Sequence, residues 1–151
     1  MEELGKRRLT MGKGERLRHK TLVDGLFHDG KTLYDYPLRV TYRVLGADEL
    51  EKSFRDRVPD KIGLLQMMIT IPKKKLRHAV DRVRMRRVIR EAYRLHRLDL
   101  RDIAHASSVR NVSMAFIYLQ SEKADYSVIE KKMKKLLSKI GEAVKRKETK
   151  E

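Results

Sequence analysis

The 151-residue sequence has no cysteine, which removes disulfides, Cys-based zinc sites and thiol catalysis together. No apolar run approaches the ~18 residues that a membrane span needs, so no membrane partner is expected. The first residues, MEELGKRRLTMGKGER, are charged and lack the apolar centre of a signal peptide; a cytoplasmic setting is expected. Acids are scarce: 21 Asp plus Glu stand against 37 Lys plus Arg, a net charge of +16. Those acids concentrate in residues 46–60 and at the chain ends, mostly beside basic residues. Two-metal hydrolysis needs carboxylates clustered on strands, so a protein-borne nuclease of that kind is not expected. His19, His28, His78, His96 and His105 show no ligand spacing with one another or with carboxylates, and no protein-bound metal is expected. No Ser-His-Asp arrangement and no phosphate-cradling glycine loop is present, so no catalytic residue is assigned.

What is present points to a polyanion as partner. Hydrophobic residues make up 40% and charged residues 38% of the chain, which fits a folded domain with charged ends better than a disordered chain. The length predicts one core. The expected division is a flexible basic arm over 1–16, a domain over 17–145 and a frayed charged tail over 146–151.

Leu22, Val23, Leu26 and Phe27 recur at helical spacing before Gly30, predicting a short helix weakened by Gly25. After Pro37, Leu38, Val40, Tyr42 and Val44 alternate with Arg39, Thr41 and Arg43, the pattern of a half-buried strand. Residues 46–61 read as a charged loop. Residues 64–71 are apolar on both faces, as a central strand would be, and Pro72 ends them. A long basic helix spans 79–97, residues 98–111 read as an exit loop, and VSMAFIYL (112–119) is a third strand. Tyr126, Ile129, Met133, Leu136, Leu137, Ile140 and Val144 then keep helical spacing, backed by Lys131, Lys132, Lys134, Lys135 and Lys139. The order α-β-β-α-β-α predicts an α+β fold, a single-domain α/β sandwich of a sheet packed with helices. The strand–basic helix–strand unit implies a parallel pair unless another strand intervenes.

Residues 73–97 hold eleven Lys or Arg and two acids, a net +9. On a helical wheel Met85, Val88, Ile89, Ala92 and Leu95 fall within about 120°, which marks a buried stripe. Arg86, Arg87, Arg90, Arg94 and Arg97 fall within about 100° on the other side, flanked by Arg82 and Arg84. Neighbouring like charges repel by a few tenths of a kcal/mol per pair. Such a face is disfavoured in isolation and makes sense where phosphates dock; Arg in place of Lys suits bidentate phosphate contacts and stacking on bases. Val83 interrupts it, and either covers a neighbouring surface or lies near a base or sugar.

The run Ala79-Val80-Asp81-Arg82-Val83-Arg84-Met85-Arg86-Arg87-Val88-Ile89-Arg90-Glu91-Ala92 resembles the signature helix of the bacterial ribonuclease P protein subunit. The family pattern is Ala-Val, one residue, Arg-Asn-Arg, one residue, Lys/Arg-Arg, two apolar residues, Arg, an acid or amide, and Ala. The likeness continues through Leu26-Phe27 with Gly30, the Lys73-Lys74 pair and the Tyr-initiated last helix, over roughly residues 15–140. Three departures stand out: Val83 replaces the motif Asn, the link from Lys74 to Ala79 is one residue longer than in many members, and Val23 replaces a second aromatic.

The resemblance implies a four-stranded mixed sheet with a left-handed crossover, neither of which the residue pattern supplies. It implies a subunit that binds ribonuclease P RNA and the 5′ leader of precursor tRNA. The RNA performs Mg²⁺-dependent hydrolysis and holds the Mg²⁺ in the main; no organic cofactor and no obligatory protein partner are implied. Arg82, Val83, Arg84, Arg86, Arg87, Arg90 and Arg94, with Lys73 and Lys74, would contact RNA. Phe27 and Val23, with Tyr34, Tyr36 and Arg39, would line the leader cleft; Phe27 also fits an ordinary core position, and Tyr42 lies on the strand's apolar face. A structural RNA-binding protein of ribosomal type is the alternative that the same helix allows. A DNA-binding helix motif fits less well, because no compact helical bundle surrounds this helix.

Overall fold

Along 38–45 the alternation places one set of side chains on each face of a strand, and both sets meet helices. The computed structural model describes residues 10–54, 57–59 and 62–150. Helix α1 (Lys20–Asp29) leads through Gly30 into β1 (Lys31–Asp35), which turns at Tyr36-Pro37 into β2 (Leu38–Gly46). There follow α2 (Ala47–Ser53), β3 (Leu65–Thr70), α3 (Ala79–His96), α4 (Leu98–His105), β4 (Val109–Tyr118) and α5 (Tyr126–Lys150). The strands form one mixed sheet in the order β1-β2-β4-β3. Pairs β1–β2 and β2–β4 are antiparallel; β3 and β4 are parallel neighbours, joined through α3 and α4. The α+β sandwich and the parallel pair stand as expected.

One sheet face carries Val40, Tyr42, Met67, Val112, Met114 and Phe116 against Met85, Ile89, Ala92 and Tyr93 of α3 and Ile129, Met133, Leu136 and Ile140 of α5. The other face buries Leu45 and Ala115 beneath Leu22 and Leu26 of α1, with Leu17 and Leu50. Fully burying a Leu, Ile or Met side chain is worth about 1.5–3 kcal/mol, so these two clusters supply the cohesion. Gly30 is required where α1 meets β1: a Cβ there would collide with the Leu26 carbonyl oxygen and press on Thr41 Cγ2.

The fourth strand is β1. Its sequence, KTLYD, has no clean alternation because it is an edge strand with three of five residues exposed. Residues 46–61, expected as a loop, contain α2. Only Leu50 of α2 is buried, and Gly46 N–H donates to Glu49 Oε1 at 3.1 Å across its first turn. One apolar anchor in a charged run gives no periodic signal. Residues 98–111, expected as an exit loop, contain α4. The backbone stays helical at Arg97 (φ −81°, ψ −14°), so the chain enters α4 without the glycine or proline that would mark a boundary. Residues 146–150, expected to fray, continue α5, and Lys147 Nζ lies 2.5 Å from Glu49 Oε1.

The expected arm is bound to the domain from residue 10 onward; residues 1–9 lie outside the described residues. Leu17 N–H donates to Met67 O at 3.0 Å, and Arg16 bridges Met67 in parallel, which covers part of the β3 edge. Gln66 Nε2 donates to Gly14 O at 2.9 Å, and Asn111 Nδ2 donates to Gln66 Oε1 at 3.2 Å and to Gly63 O at 3.0 Å.

Arg97 ties this segment to α3. It was expected on the exposed arginine face, yet its side chain is 0% exposed. Its Nε donates to Glu15 Oε1 at 2.6 Å and its Nη2 to Glu15 Oε2 at 3.2 Å. Further bonds run from Nη1 to Arg94 O at 2.5 Å and from Nη2 to Thr10 O at 3.3 Å. Removing one partner of a buried ion pair costs about 3–5 kcal/mol, because the other charge stays buried. Glu15→Ala is therefore expected to lose about 3 kcal/mol, at the low end because the carbonyl acceptors of Arg97 remain. Chemical denaturation should show a lower midpoint at unchanged m-value; an unmoved midpoint would refute the role given to this pair.

Candidate nucleic-acid interface

Helix α3 owes its orientation to its buried stripe. Met85, Ile89, Ala92 and Tyr93 are each 0% exposed, and the Tyr93 ring meets Phe116 of β4 edge-on at 5.9 Å. Tyr93 is the stripe residue that a search for aliphatic periodicity misses; Val88 and Leu95, placed in the stripe, are only half-buried. With that side on the sheet, Arg84, Arg87 and Arg90 face outward and are exposed, and Arg86 is half-buried. Among the described residues, none of these four forms a salt bridge. Glu91, in the same groove as Arg87 and Arg90, is the acid nearest to them on the helix, and it is paired with Arg94.

The other arginines of the motif are engaged. Arg82 Nη1 donates to Leu76 O and Arg77 O, both at 2.8 Å, and so ties the link before α3 to its first turn. Arg94 grips Glu91 with two bonds, Nε to Oε2 at 3.0 Å and Nη2 to Oε1 at 2.6 Å. That hydrogen bonding holds the Glu91 carboxyl below its ordinary range. Lys73 and Lys74 are exposed in the turn after β3, which closes with Lys75 N–H on Pro72 O at 3.0 Å. Val83 is 45% exposed and Val80 78%, so Val83 is not sealed under a neighbouring element.

Where α3 meets the start of α5, a groove of ≈480 Å³ is lined by Arg87, Val88, Arg90, Glu91, Arg94 and Tyr126. The Tyr126 hydroxyl donates to Glu130 Oε2 at 3.2 Å, and His96 Nε2 lies 2.8 Å from the same oxygen. The wheel of α3 gave no sign of Tyr126, since its place beside the arginines depends on how two distant helices pack.

On the opposite sheet face, Tyr34 lies directly across from Arg39, Arg39 from Ile117, and Ile117 from Thr70. This row is the next one along the strands after Thr41, Ala115 and Met68, over which α1 packs. Arg39 Nε is buried and has no hydrogen-bond partner among the described residues. Tyr34 is 64% exposed, Tyr36 61% and Phe27 52%, so the core reading of Phe27 does not hold. Val23 packs partly buried in the α1 cluster. The residues expected in the cleft thus divide into an exposed aromatic set, one half-buried arginine and one packing residue.

Among the described residues no group of three or more His, Asp or Glu is placed to hold a metal ion. No helix is long and apolar enough to cross a membrane, the described residues being those searched.

Comparison with known proteins gives one family. The family model for ribonuclease P matches residues 11–141. The ribonuclease P protein component of Porphyromonas gingivalis is 32% identical over 130 residues, 86% of this chain and 85% of that protein. That of Chlorobium phaeobacteroides is 32% identical over 85 residues, 56% of this chain and 52% of that protein. Among solved structures, the Staphylococcus aureus RNase P protein aligns at TM-score 0.55 and 18% identity, over 86% of this chain and 97% of that one. The Thermotoga maritima RNase P protein aligns at 0.56 and 20%, over 83% and 96%. At these identities the solved structures speak for the fold alone.

The engaged and free arginines should separate experimentally. Arg90→Ala is expected to weaken RNA binding and lower the slope of log K against log salt by up to about 1, with no change in thermal midpoint. Arg82→Ala is expected to lower the midpoint as well, because two carbonyls lose their donor; equal midpoints would return Arg82 to the free set. Val83→Asn is expected to tighten RNA binding if this position touches RNA, and unchanged binding would remove it from the interface.

Proposed function

The chain belongs to the ribonuclease P protein family, and from that premise we propose how its residues serve the ribonucleoprotein. As a protein component of ribonuclease P, it has ribonuclease P RNA as its partner. We assign that contact to Arg84, Arg86, Arg87 and Arg90, with Lys73 and Lys74 at the start of the same face. The observation that carries this is the free arginine face itself: four guanidiniums on one helix, none in a salt bridge among the described residues, at motif positions of the family. Phosphates would supply the counter-charge that the fold does not. Arg94 contributes after its grip on Glu91 is shared, and Arg82 shapes the approach to the helix.

The second assignment is the 5′ leader of precursor tRNA, laid along the Tyr34–Arg39 row. Arg39 is half-buried on this row, and its guanidinium would offer charge and donors to a phosphate or base carbonyl. Tyr34, Tyr36 and Phe27 offer exposed rings for stacking, worth about 1–3 kcal/mol per base, and Val23 supports the helix that carries Phe27.

Cleavage is assigned to the RNA. Its Mg²⁺ would be held there in the main, as the family resemblance implies. The protein's work in this reading is to bind and orient both RNAs by charge and stacking, in the cytoplasm, without an obligatory protein partner.

The test is reconstitution. The protein is mixed with bacterial ribonuclease P RNA and precursor tRNA at low Mg²⁺, and release of the 5′ leader is followed. Stimulated processing is expected. No stimulation, together with tight binding to ribosomal RNA, would return the chain to a purely structural RNA-binding role.

A further inference from the structure

The outer face of α5 is a second basic surface. Lys131, Lys134, Lys135, Lys139, Lys145 and Arg146 are exposed on it, against one exposed acid, Glu142. From 131 to 146 the stripe runs about 22 Å at 1.5 Å per residue. Cations at its flank are consumed by the fold: Lys132 Nζ lies 3.2 Å from Asp35 Oδ1, and Lys147 is paired with Glu49. Among the described residues, Lys131, Lys135, Lys139 and Arg146 form no salt bridge. A surface serving solubility alone mixes signs to limit self-repulsion; here six exposed cations stand against one exposed acid on the helix, with exposed Asp99 of α4 beside Lys134 and Lys145.

Its position matters more than its charge. Helices α3 and α5 bury their apolar stripes in one cluster on the same sheet face, so their outer faces point the same way, away from the sheet. Packed helices lie about 8–10 Å apart. The seam between the two is the groove lined by Arg87, Arg90, Arg94 and Tyr126, and the His96–Glu130 contact pins the helices below it. The lysines of α5 lie past this seam: beyond Glu130 the helix runs along α4, with Lys134 and Lys145 beside His96, Asp99 and Ile103. The basic stretch of α5 therefore continues from the C-terminal end of the arginine face, with one aromatic ring, Tyr126, at the junction. Val128, 41% exposed, is the one large apolar side chain on the α5 face, so an apolar partner or a lipid surface finds little to bury there.

We propose that the outer face of α5 is a second phosphate-binding track for ribonuclease P RNA, extending the contact of α3 to a neighbouring stretch of the same RNA. This rests on the assignment of the α3 face to that RNA. Lysines are well suited to such a track. As mobile point charges they follow a backbone without demanding one geometry, whereas the arginines of α3 hold phosphates bidentately.

The test uses the full chain and two independent readouts. Lys131→Gln, Lys134→Gln, Lys135→Gln and Lys139→Gln are combined in one protein, and its affinity for ribonuclease P RNA is measured over a salt series beside Arg90→Ala. Each lost phosphate contact lowers the slope by about 0.7–0.9, so a fall of about 3–3.5 is expected if all four engage phosphates, with affinity down by on the order of tenfold or more at physiological salt. Thermal melts check that the fold is kept. Because the chain has no cysteine, Ser138→Cys provides a single attachment point for an iron chelate whose radicals cut nearby RNA. Cuts are expected in ribonuclease P RNA. An unchanged slope in the quadruple variant while Arg90→Ala lowers it overturns the second track and leaves the first standing. Cuts confined to precursor tRNA overturn it in favour of a substrate contact. Unchanged slopes in both variants overturn the α3 assignment on which it rests.

Discussion

The burial of one side of α3 against the sheet is the constraint on which the rest depends. An arginine-rich helix has no reason to hold a fixed direction in water, and its charges oppose one another by a few tenths of a kcal/mol per neighbouring pair. Met85 and Ile89 are each fully buried, which contributes about 1.5–3 kcal/mol apiece, with Tyr93 and Ala92 beside them. Burial therefore exceeds repulsion, and the helix is held with its charges outward. The repulsion is not removed; it remains available for relief by an anionic partner.

The sheet lets one small domain present two chemically different surfaces. Both of its faces are covered, by α3, α4 and α5 on one side and by α1 and α2 on the other. The exposed arginines of α3 and lysines of α5 sit on the outer side of the first layer. On the second side, Tyr34 and Arg39 lie in the row beyond the part covered by α1. Each surface draws on a different element, so each is able to change without disturbing the other. The Arg97–Glu15 pair and the Gln66–Asn111 bonds fasten the N-terminal segment across this frame.

Much of the interface was legible in the chain because its signals are local. Periodicity located α3, α5 and β2 within a few residues, and the signature run located the arginines. An apolar run located β3, expected as a central strand; it is instead an edge strand whose outer side is partly covered by Arg16 and Leu17. Elements with few buried residues escaped: β1 is an edge strand, α2 has a single buried anchor, and α4 starts without a breaker. Tyr93 escaped because the stripe was drawn from aliphatic residues, and Tyr126 because its neighbours come from a separate helix earlier in the chain.

The sequence by itself determined that there would be an arginine face and which helix would carry it, since charge content and a 3.6-residue period are properties of the segment alone. Which arginines remain free was decided only by the tertiary structure. Arg82 is held by the carbonyls of the preceding link, Arg94 by Glu91, and Arg97 by a carboxylate 82 residues away in the chain. A helical wheel projects side chains onto an ideal cylinder and carries no record of what packs against it. Free charge is set by the partners that folding brings within reach.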